Sequence, residues 1–462
     1  MADVRPGVAA IFFLMFAVSL FMSCSTGREN VSLPLSLPES FSDSGNRRVP
    51  DQWWTAFGDP ELNTLVNRAL QENFDLKTAW QRLKAARAAA DRQSADLYPE
   101  LEGFFEAETR RSESEDMDQL RIGLSSVYEL DLWGKIRSRT EAEQYRARAT
   151  FLDYQTAALT LSAEVTRTWY QLAAAQGRLA LLRDQIETNE KVLQLLKTRF
   201  ASGQSRSVDV IRQRQLLEST REEKHAAESR VQVLFHQLAV LTGQPPGRKI
   251  FSSPENLPDL PPLPQTGLPT ELVRRRPDVR RAYYRLQAAD RDLSAAISNR
   301  YPRVTISASL SSAGGDADDI FQDWARSFSG SLVAPLLDAG KRAAEAERVR
   351  AEKNQRLYEY GQSVLTAFQE VEDALIQEEK QITQIRSLEK QLRHAKQAYE
   401  QLRSEYANGI SNFIDVLEAL TDRQQLQREL ISARRVLLEY RIALYRALAG
   451  GFETPRQARE QG

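Results

Sequence analysis

The chain has 462 residues, a formal net charge of −1 and one cysteine. Its balance of 62 basic and 63 acidic residues disfavours a nucleic-acid-binding protein, because such proteins usually carry a strong basic excess. Only one apolar segment approaches the roughly 20 residues that a transmembrane helix needs, which excludes a polytopic helical membrane protein.

This apolar segment covers residues 8–24 (VAAIFFLMFAVSLFMSC) and follows a short start that carries Arg5. A basic start and a short apolar core are typical of a secretory signal peptide, which we assign to residues 1–23. The single cysteine cannot form an internal disulfide, and the position of Cys24 resembles that of a bacterial lipobox cysteine. The resemblance implies lipidation and outer-membrane sorting, since Ser25 and not Asp follows. The alternative is a buried thiol in an uncleaved anchor.

Residues that alternate between apolar and polar follow at 101–108 and again at 120–132. A period of two predicts β-strands with one apolar face and one wet face. The polar segment RSESEDMD (111–118) separates the two strands, and the whole predicts a β-hairpin over residues 98–133.

A second hairpin is predicted in the other half of the chain, over residues 301–339. Val304, Ile306 and Leu310 alternate there with polar residues, and the segment SSAGGDADDIFQDWA (311–325) separates its strands. Each strand is long enough to cross a bilayer, which takes about 9–11 tilted residues.

The hydrophobic period becomes helical after each hairpin. Mainly apolar residues spaced three and four apart run from 179 to 200, with the polar Asn189 among them, and the same register recurs from 385 to 406. Such heptads predict coiled coils. Counted from Lys135 and Lys341, each long helix would have 66 residues and be about 100 Å long.

Each predicted long helix ends in a similar segment, FASGQSRSVDV (200–210) or YANGISNFIDV (406–416). Glycine accepts the left-handed conformation that ends a helix, so Gly203 and Gly409 predict sharp reversals. Asp209 and Asp415 come early in the returning helices, where the helix dipole favours an anion. The sequence therefore predicts two helical hairpins, over 134–244 and 340–450.

The two halves share one order of elements and are joined by residues 245–300, a proline-rich linker followed by a helix. Proline fixes φ and removes a donor, so residues 254–269, with six prolines, predict an extended, semi-rigid segment. Four amphipathic strands cannot span a membrane alone, because an open edge in lipid leaves backbone groups unpaired. Closed membrane barrels have at least about eight strands, so two or more copies must combine.

Several segments resemble the TolC-like outer-membrane efflux factors, in the lipoprotein (NodT-type) branch that serves RND-type efflux systems. The resemblance covers nearly the whole mature chain and departs from the family pattern at Tyr283 and Tyr284, where Ala-Glu is usual. The segments are WWTAFGDPELNTLVNRAL (53–70), YELDLWGKIRS (128–138), LPTELVRRRPDVRRAYYRLQAA (268–289) and the two glycine turns.

The resemblance implies a mainly α fold with a membrane β-barrel, built as a homotrimer. Three chains would form one 12-strand barrel and one 12-helix periplasmic tunnel. The lipidated N-terminal region with its helices (24–97), the linker region (245–300) and the C-terminal tail (451–462) would form or flank a collar. The function implied is an outer-membrane exit duct of a Gram-negative bacterium, which exports small molecules with a periplasmic adaptor protein and an inner-membrane pump.

The resemblance also assigns roles to residues of the turns. Asp415 and Glu418, on one helix face, would line the periplasmic mouth, where three chains would form two stacked acidic rings that select cations. Tyr406 and Asp209 would form a hydrogen-bonded latch between the two hairpins. The acidic pair alone would also fit a solvated helix start.

The turn residues Gly203, Ser205, Gly409 and Ser411 would contact the adaptor. Ser411 stands where the family's best-known member has an arginine, so we expect closure of the mouth to depend more on packing and on Tyr406.

No pattern indicates an enzyme. The sequence contains no nucleotide loop and no nucleophile elbow, and its histidines (His225, His236, His394) lie in helical patterns without metal-ligand spacing. We therefore expect no cofactor and no metal. The alternative function is a periplasmic coiled-coil structural lipoprotein without a pore, which would explain the heptads and Cys24 but not the four amphipathic strands.

Overall fold

The computed structural model describes residues 38–111, 116–247 and 257–461. The predicted signal peptide (1–23) and Cys24 lie outside these ranges. Contacts divide the chain into two compact units. We call residues 91–143 with 286–358 the sheet unit, and the remaining described residues the helical unit.

In the described residues the same order of elements occurs two times: two shorter helices, two strands and two long helices. A 3-10 helix (Trp53–Phe57) precedes the first set, and a short helix, α9 (Pro455–Gln461), follows the second. The first set is α1 (Pro60–Glu72), α2 (Phe74–Ala95), β1 (Glu100–Arg111), β2 (Asp116–Leu130), α3 (Lys135–Ala201) and α4 (Ser207–Leu241). The second set is α5 (Pro269–Arg275), α6 (Pro277–Ser298), β3 (Arg303–Gly314), β4 (Trp324–Val333), α7 (Lys341–Ala407) and α8 (Phe413–Leu448).

Both long helices are confirmed. The helices α3 and α7 start at Lys135 and Lys341 as predicted, and each has 67 residues, one more than expected. Among the described residues, no helix combines the length and the apolar character that crossing a membrane requires.

The predicted strand pairs are also confirmed, but the segments expected to separate them were drawn too long. Strand β1 continues to Arg111 and β2 begins at Asp116, while β3 continues to Gly314 and β4 begins at Trp324. Polar residues at these ends join the ladder because backbone hydrogen bonds, not apolar side chains, extend a strand. At the other end β2 stops at Leu130, so Leu132 is not part of it.

The four strands form one antiparallel sheet in the order β1-β2-β3-β4, so the two predicted hairpins pair with each other through β2 and β3. The register places residues of similar character opposite one another. One face carries mostly apolar side chains, among them Phe105, Ile122, Tyr128, Ile306, Leu310, Phe328 and Leu332. The other carries mostly polar ones, among them Glu106, Arg121, Ser125, Glu129, Thr305, Ser307, Ser309, Ser327 and Ser331.

Within the sheet unit, the two long helices begin at aspartate-capped turns. Asp131 accepts hydrogen bonds from the backbone N–H groups of Ile136 (2.8 Å) and Arg137 (2.9 Å) at the start of α3. Asp338 accepts from Gly340 (3.0 Å) and Arg342 (3.3 Å) at the start of α7. These caps satisfy helix-start donors that would otherwise lack partners.

The helical unit has a tryptophan-rich core built on the predicted 53–70 segment. Trp53 is fully buried, its Nε1 donates to Ser162 Oγ (3.1 Å), and its ring stacks on Tyr445 with centroids 6.0 Å apart. Trp169 Nε1 donates to Asp59 Oδ2 (2.7 Å). The segment therefore packs against α3 and α8.

A buried polar layer joins three long helices of the helical unit. The side-chain amides of Asn189 (α3) and Gln424 (α8) exchange hydrogen bonds of 3.0 and 3.4 Å. Asn189 also donates to Thr220 Oγ1 (3.0 Å) on α4, and Gln213 Nε2 donates to the Asn189 carbonyl (3.1 Å). All four residues are at most 2% exposed. Polar residues in a coiled-coil seam specify its register.

Candidate functional site

The two glycine turns have the predicted geometry. Gly203 and Gly409 adopt φ angles of +71° and +75°. The N–H of Gln204 donates to the Arg199 carbonyl (2.8 Å), and the N–H of Ile410 donates to the Glu405 carbonyl (2.9 Å). These bonds reach back five residues, as in a Schellman motif, and satisfy carbonyls at the ends of α3 and α7.

Asp209 and Asp415 occupy the third position of α4 and α8. Each carboxylate accepts a hydrogen bond from the backbone N–H that precedes its helix, at Arg206 (3.2 Å) and at Asn412 (3.3 Å). Asp209 is buried, whereas Asp415 is half-buried. Both aspartates thus act as helix-start caps, whatever else they do.

The two turns meet in one apolar cluster, which we call the tip cluster. It includes residues of α3 and α4 from the first hairpin and of α7 and α8 from the second. Its buried members are Leu193, Leu196, Val210, Leu217, Tyr399, Phe413, Val416 and Leu420. The structure therefore brings together the two similar turn segments, 200–210 and 406–416.

Tyr406 lies at the edge of the tip cluster, and its aromatic ring makes the side-chain contacts there. The ring packs edge-on against Phe413, with centroids 5.6 Å apart. The guanidinium carbon of Arg199 lies over the Tyr406 ring, 4.8 Å from the ring centroid. The Tyr406 hydroxyl is buried and has no hydrogen-bond partner among the described residues.

The predicted hydrogen bond between Tyr406 and Asp209 is therefore wrong for this structure. The Asp209 carboxylate accepts instead from Arg206 Nη2 (3.1 Å), Arg206 N (3.2 Å) and Ser205 Oγ (3.4 Å). The physical reason is local: an arginine three residues away pairs its charge with the carboxylate, and a neutral phenol offers only a weaker bond.

Asp415 and Glu418 lie in the first two turns of α8, with Glu418 exposed. In the described part of the chain, no group of three or more His, Cys, Asp or Glu side chains is placed to hold a metal ion. The pair is thus a surface of negative charge rather than a complete ligand set.

The remaining predicted turn residues lie near the protein surface. Gly203 and Gly409 are exposed, while Ser205 and Ser411 are half-buried. Ser411 Oγ donates to the Leu402 carbonyl (3.3 Å) at the end of α7. Next to it Ile410 is 74% exposed, which leaves an apolar side chain at the tip of the second turn.

The sequence did not single out Arg199, which contacts the second turn from the end of α3. Its Nη1 and Nη2 donate to the carbonyls of Tyr406 and Ala407, both at 3.4 Å. The one available signal was a break in the repeat: the residue 206 positions later is Glu405, of opposite charge.

A family model described as outer membrane efflux protein matches residues 65–244 and 268–450. These two ranges correspond to the two halves of the repeat and hold the helical hairpins and the strands.

Individual relatives match along nearly the whole chain. The pyoverdine export outer membrane protein OpmQ of Pseudomonas aeruginosa is 31% identical over 421 residues, 88% of each chain. Nodulation protein T of Rhizobium leguminosarum bv. trifolii is 25% identical over 454 residues, 95% of this chain and 97% of that one. A solved structure of the outer-membrane channel OprN superposes with a TM-score of 0.87 at 30% identity, over 93% of this chain and 99% of that chain.

Proposed function

Since this chain belongs to the outer membrane efflux protein family, we propose that it is the outer-membrane exit duct of a tripartite efflux system. Members of the family are outer-membrane efflux channels of Gram-negative bacteria and are not enzymes. The chain is accordingly an outer-membrane transport protein of the TolC-like type. In the proposal it works as a homotrimer that an adaptor protein and an inner-membrane pump engage from the periplasm.

The observation that carries the proposal is the open four-stranded sheet. Strands β1 and β4 are its outer strands, and apolar side chains such as Phe105 and Phe328 are more than 60% exposed on it. In lipid, each unpaired backbone group at a sheet edge costs several kcal/mol, so the edges must pair. Three copies joined edge to edge would close a 12-strand barrel, in which β1 of one copy pairs with β4 of the next.

The lipid-facing side follows from the two faces of the sheet. The face with Val304, Ile306 and Leu310 would contact lipid, because apolar side chains are stable there. The face with Thr305, Ser307 and Ser309 would line a water-filled lumen. Ser309 and Ser327 already share a hydrogen bond on that face (2.7 Å), as expected for a polar lining.

The long helices would form the periplasmic tunnel. Each copy contributes α3, α4, α7 and α8, so three copies would give a wall of 12 helices. The shorter helices would form the collar. In support, Glu460 of α9 pairs with Lys84 (3.1 Å) and Arg87 (3.3 Å) of α2, which holds the C-terminal tail against the N-terminal helices.

The glycine turns would form the periplasmic mouth. In a trimer Asp415 and Glu418 would give two stacked rings of carboxylates, and like charges in a confined mouth attract cations. The exposed surface around Gly203, Gly409 and Ile410 would be the contact surface for the adaptor protein.

Cys24 would be the site of lipidation. Its place after the apolar segment supports this proposal, although the residue lies outside the described ranges. We expect Cys24→Ala to abolish incorporation of labelled fatty acid, while trimers still assemble because the barrel itself holds the protein in the membrane. Labelling that persists in the variant would contradict the assignment.

Purified outer membranes test the proposal directly. An assembled barrel migrates as a trimer on a denaturing gel when it is not heated and as a monomer after boiling. We expect such heat-modifiable trimers in the outer-membrane fraction. A monomeric or purely periplasmic protein would instead support the alternative, a structural coiled-coil lipoprotein without a pore.

A further inference from the structure

Arg199 makes a three-part contact with the end of α7. The guanidinium group lies 4.8 Å from the Tyr406 ring centroid and donates to the carbonyls of Tyr406 and Ala407, at 3.4 Å each. Arg199 belongs to the first helical hairpin and its partners belong to the second. The contact therefore ties the two hairpins together at the turns.

The partners are well suited to an arginine. The last carbonyls of a helix lack intrahelical donors and carry the negative end of the helix dipole, so a cation is stabilised there. A planar guanidinium can lie over an aromatic ring and still point two N–H groups at neighbouring acceptors, which lysine cannot do.

The second hairpin does not have the side chains that would make the equivalent contact in the reverse direction, to the end of α3. Glu405 stands at the position that corresponds to Arg199, and Phe200 at the position that corresponds to Tyr406. The link thus runs in one direction, from the first hairpin to the end of α7. Movement of the second turn away from the first would break all three interactions at once.

We propose that Arg199 is a gating residue, which holds the second turn against the first through the ring face of Tyr406 and the carbonyls of Tyr406 and Ala407. The proposal rests on the proposed channel function and concerns the regulation of its periplasmic mouth. It also reverses the role first expected of Tyr406: the ring, and not the hydroxyl, carries the link.

The test is the open fraction of single channels of the purified trimer in planar bilayers. A cation–π contact of this kind changes a two-state equilibrium by about 2- to 30-fold. We expect Arg199→Ala to raise the open fraction within that range. Lys197→Ala is the matched control, since it removes an exposed cation two residues away on the same helix, and we expect it to behave as wild type.

The Tyr406 variants separate the ring from the hydroxyl. We expect Tyr406→Phe to gate as wild type, because the hydroxyl has no hydrogen-bond partner in the described part of the chain. We expect Tyr406→Leu to open as Arg199→Ala does. The double variant Arg199→Ala with Tyr406→Leu should open little more than either single variant, because both remove the same contact.

The possible outcomes separate the gating role of Arg199 from the channel function. A wild-type open fraction in Arg199→Ala, or equal effects of Tyr406→Phe and Tyr406→Leu, overturns the gating role while the channel function stands. If wild type itself forms no channel, the proposed function fails, and the gate with it. If Arg199→Ala does not assemble, Arg199→Gln removes the charge while keeping a donor, and the same increase is expected of it.

Discussion

At the scale of single residues, Arg276 of the RRRPDVRR segment (274–281) connects several helices. Its buried guanidinium donates to Asp278 Oδ1 (3.0 Å) and Oδ2 (2.6 Å), to Glu370 Oε2 (2.8 Å) and to the Ala447 carbonyl (3.3 Å). One side chain thereby joins the start of α6 to α7 and to the end of α8. If either carboxylate lost its charge, the buried positive charge of Arg276 would no longer be fully compensated, which would destabilise the fold.

This arrangement predicts a response to acid. Burial alone would raise the pKa of Asp278, but the hydrogen bonds and charge of Arg276 outweigh it and the pKa is lowered. A carboxylate with a lowered folded-state pKa stabilises the fold above its unfolded pKa of about 4, and this contribution is lost as pH falls through the folded pKa.

We therefore expect thermal unfolding of the purified protein to shift to lower temperature as pH falls below about 4, and less steeply in Asp278→Asn. Asp75→Asn is the matched control, because Asp75 is the second residue of the equally long helix α2 and is exposed. Its pH profile should match wild type. Identical profiles for wild type and Asp278→Asn would contradict the prediction.

The acidic pair predicts how ions pass the mouth. Asp415→Ala combined with Glu418→Ala should leave trimers intact, because neither side chain belongs to the buried part of the tip cluster. The variant should lose cation selectivity and resist block by divalent or trivalent cations, since the charge that attracts them is gone. Reversal potentials in a salt gradient measure the effect. Wild-type selectivity in the variant would show that these carboxylates do not line the constriction.

At the scale of elements, the two faces of β3 predict opposite tolerances to charge. A cationic side chain on the lipid face near mid-bilayer costs about 2–4 kcal/mol, whereas one in the lumen stays in water. Ile306→Arg should therefore reduce the amount of assembled trimer, and Ser307→Arg, one residue away, should be tolerated. Trimer yield on unheated gels compares the two. The reverse ranking would show that the lipid and lumen faces are exchanged.

The periodic elements could be predicted from the sequence because local rules decide them. Heptad spacing, the alternation of the strands and the positive φ of Gly203 and Gly409 are properties of short segments. The starts of α3 and α7 were predicted to the residue for the same reason. Strand ends were predicted less well, since polar residues such as Ser311 and Ser312 still pair with Ala325 and Trp324 through the backbone.

The partners of individual side chains could not be predicted in this way. Asn189 appeared in the sequence only as a polar residue in an apolar seam, and its partner Gln424 lies 235 positions away. Tyr406 was expected to bond Asp209, but the nearby Arg206 takes that carboxylate. The contacts of Arg199 depend on the two turns lying close together in three dimensions. Such choices depend on three-dimensional competition between donors, which no local pattern records.

At the scale of the whole molecule, the described part of one chain would supply one third of the proposed barrel. Its sheet has two open edges, and its strands alone are too few for a closed barrel, which needs at least about eight. The helical hairpins likewise expose apolar side chains, among them Leu365, Ile376 and Val233. Association of three copies would cover both kinds of surface, so barrel and tunnel are expected to form together.

We propose that three copies of this chain enclose one continuous pore. The most direct measurement is current across a planar bilayer after addition of the purified, heat-modifiable trimer. We predict discrete, cation-selective conductance steps that multivalent cations block from the side of the helical hairpins. Trimers that insert in the bilayer and yet conduct no ions would contradict this proposal.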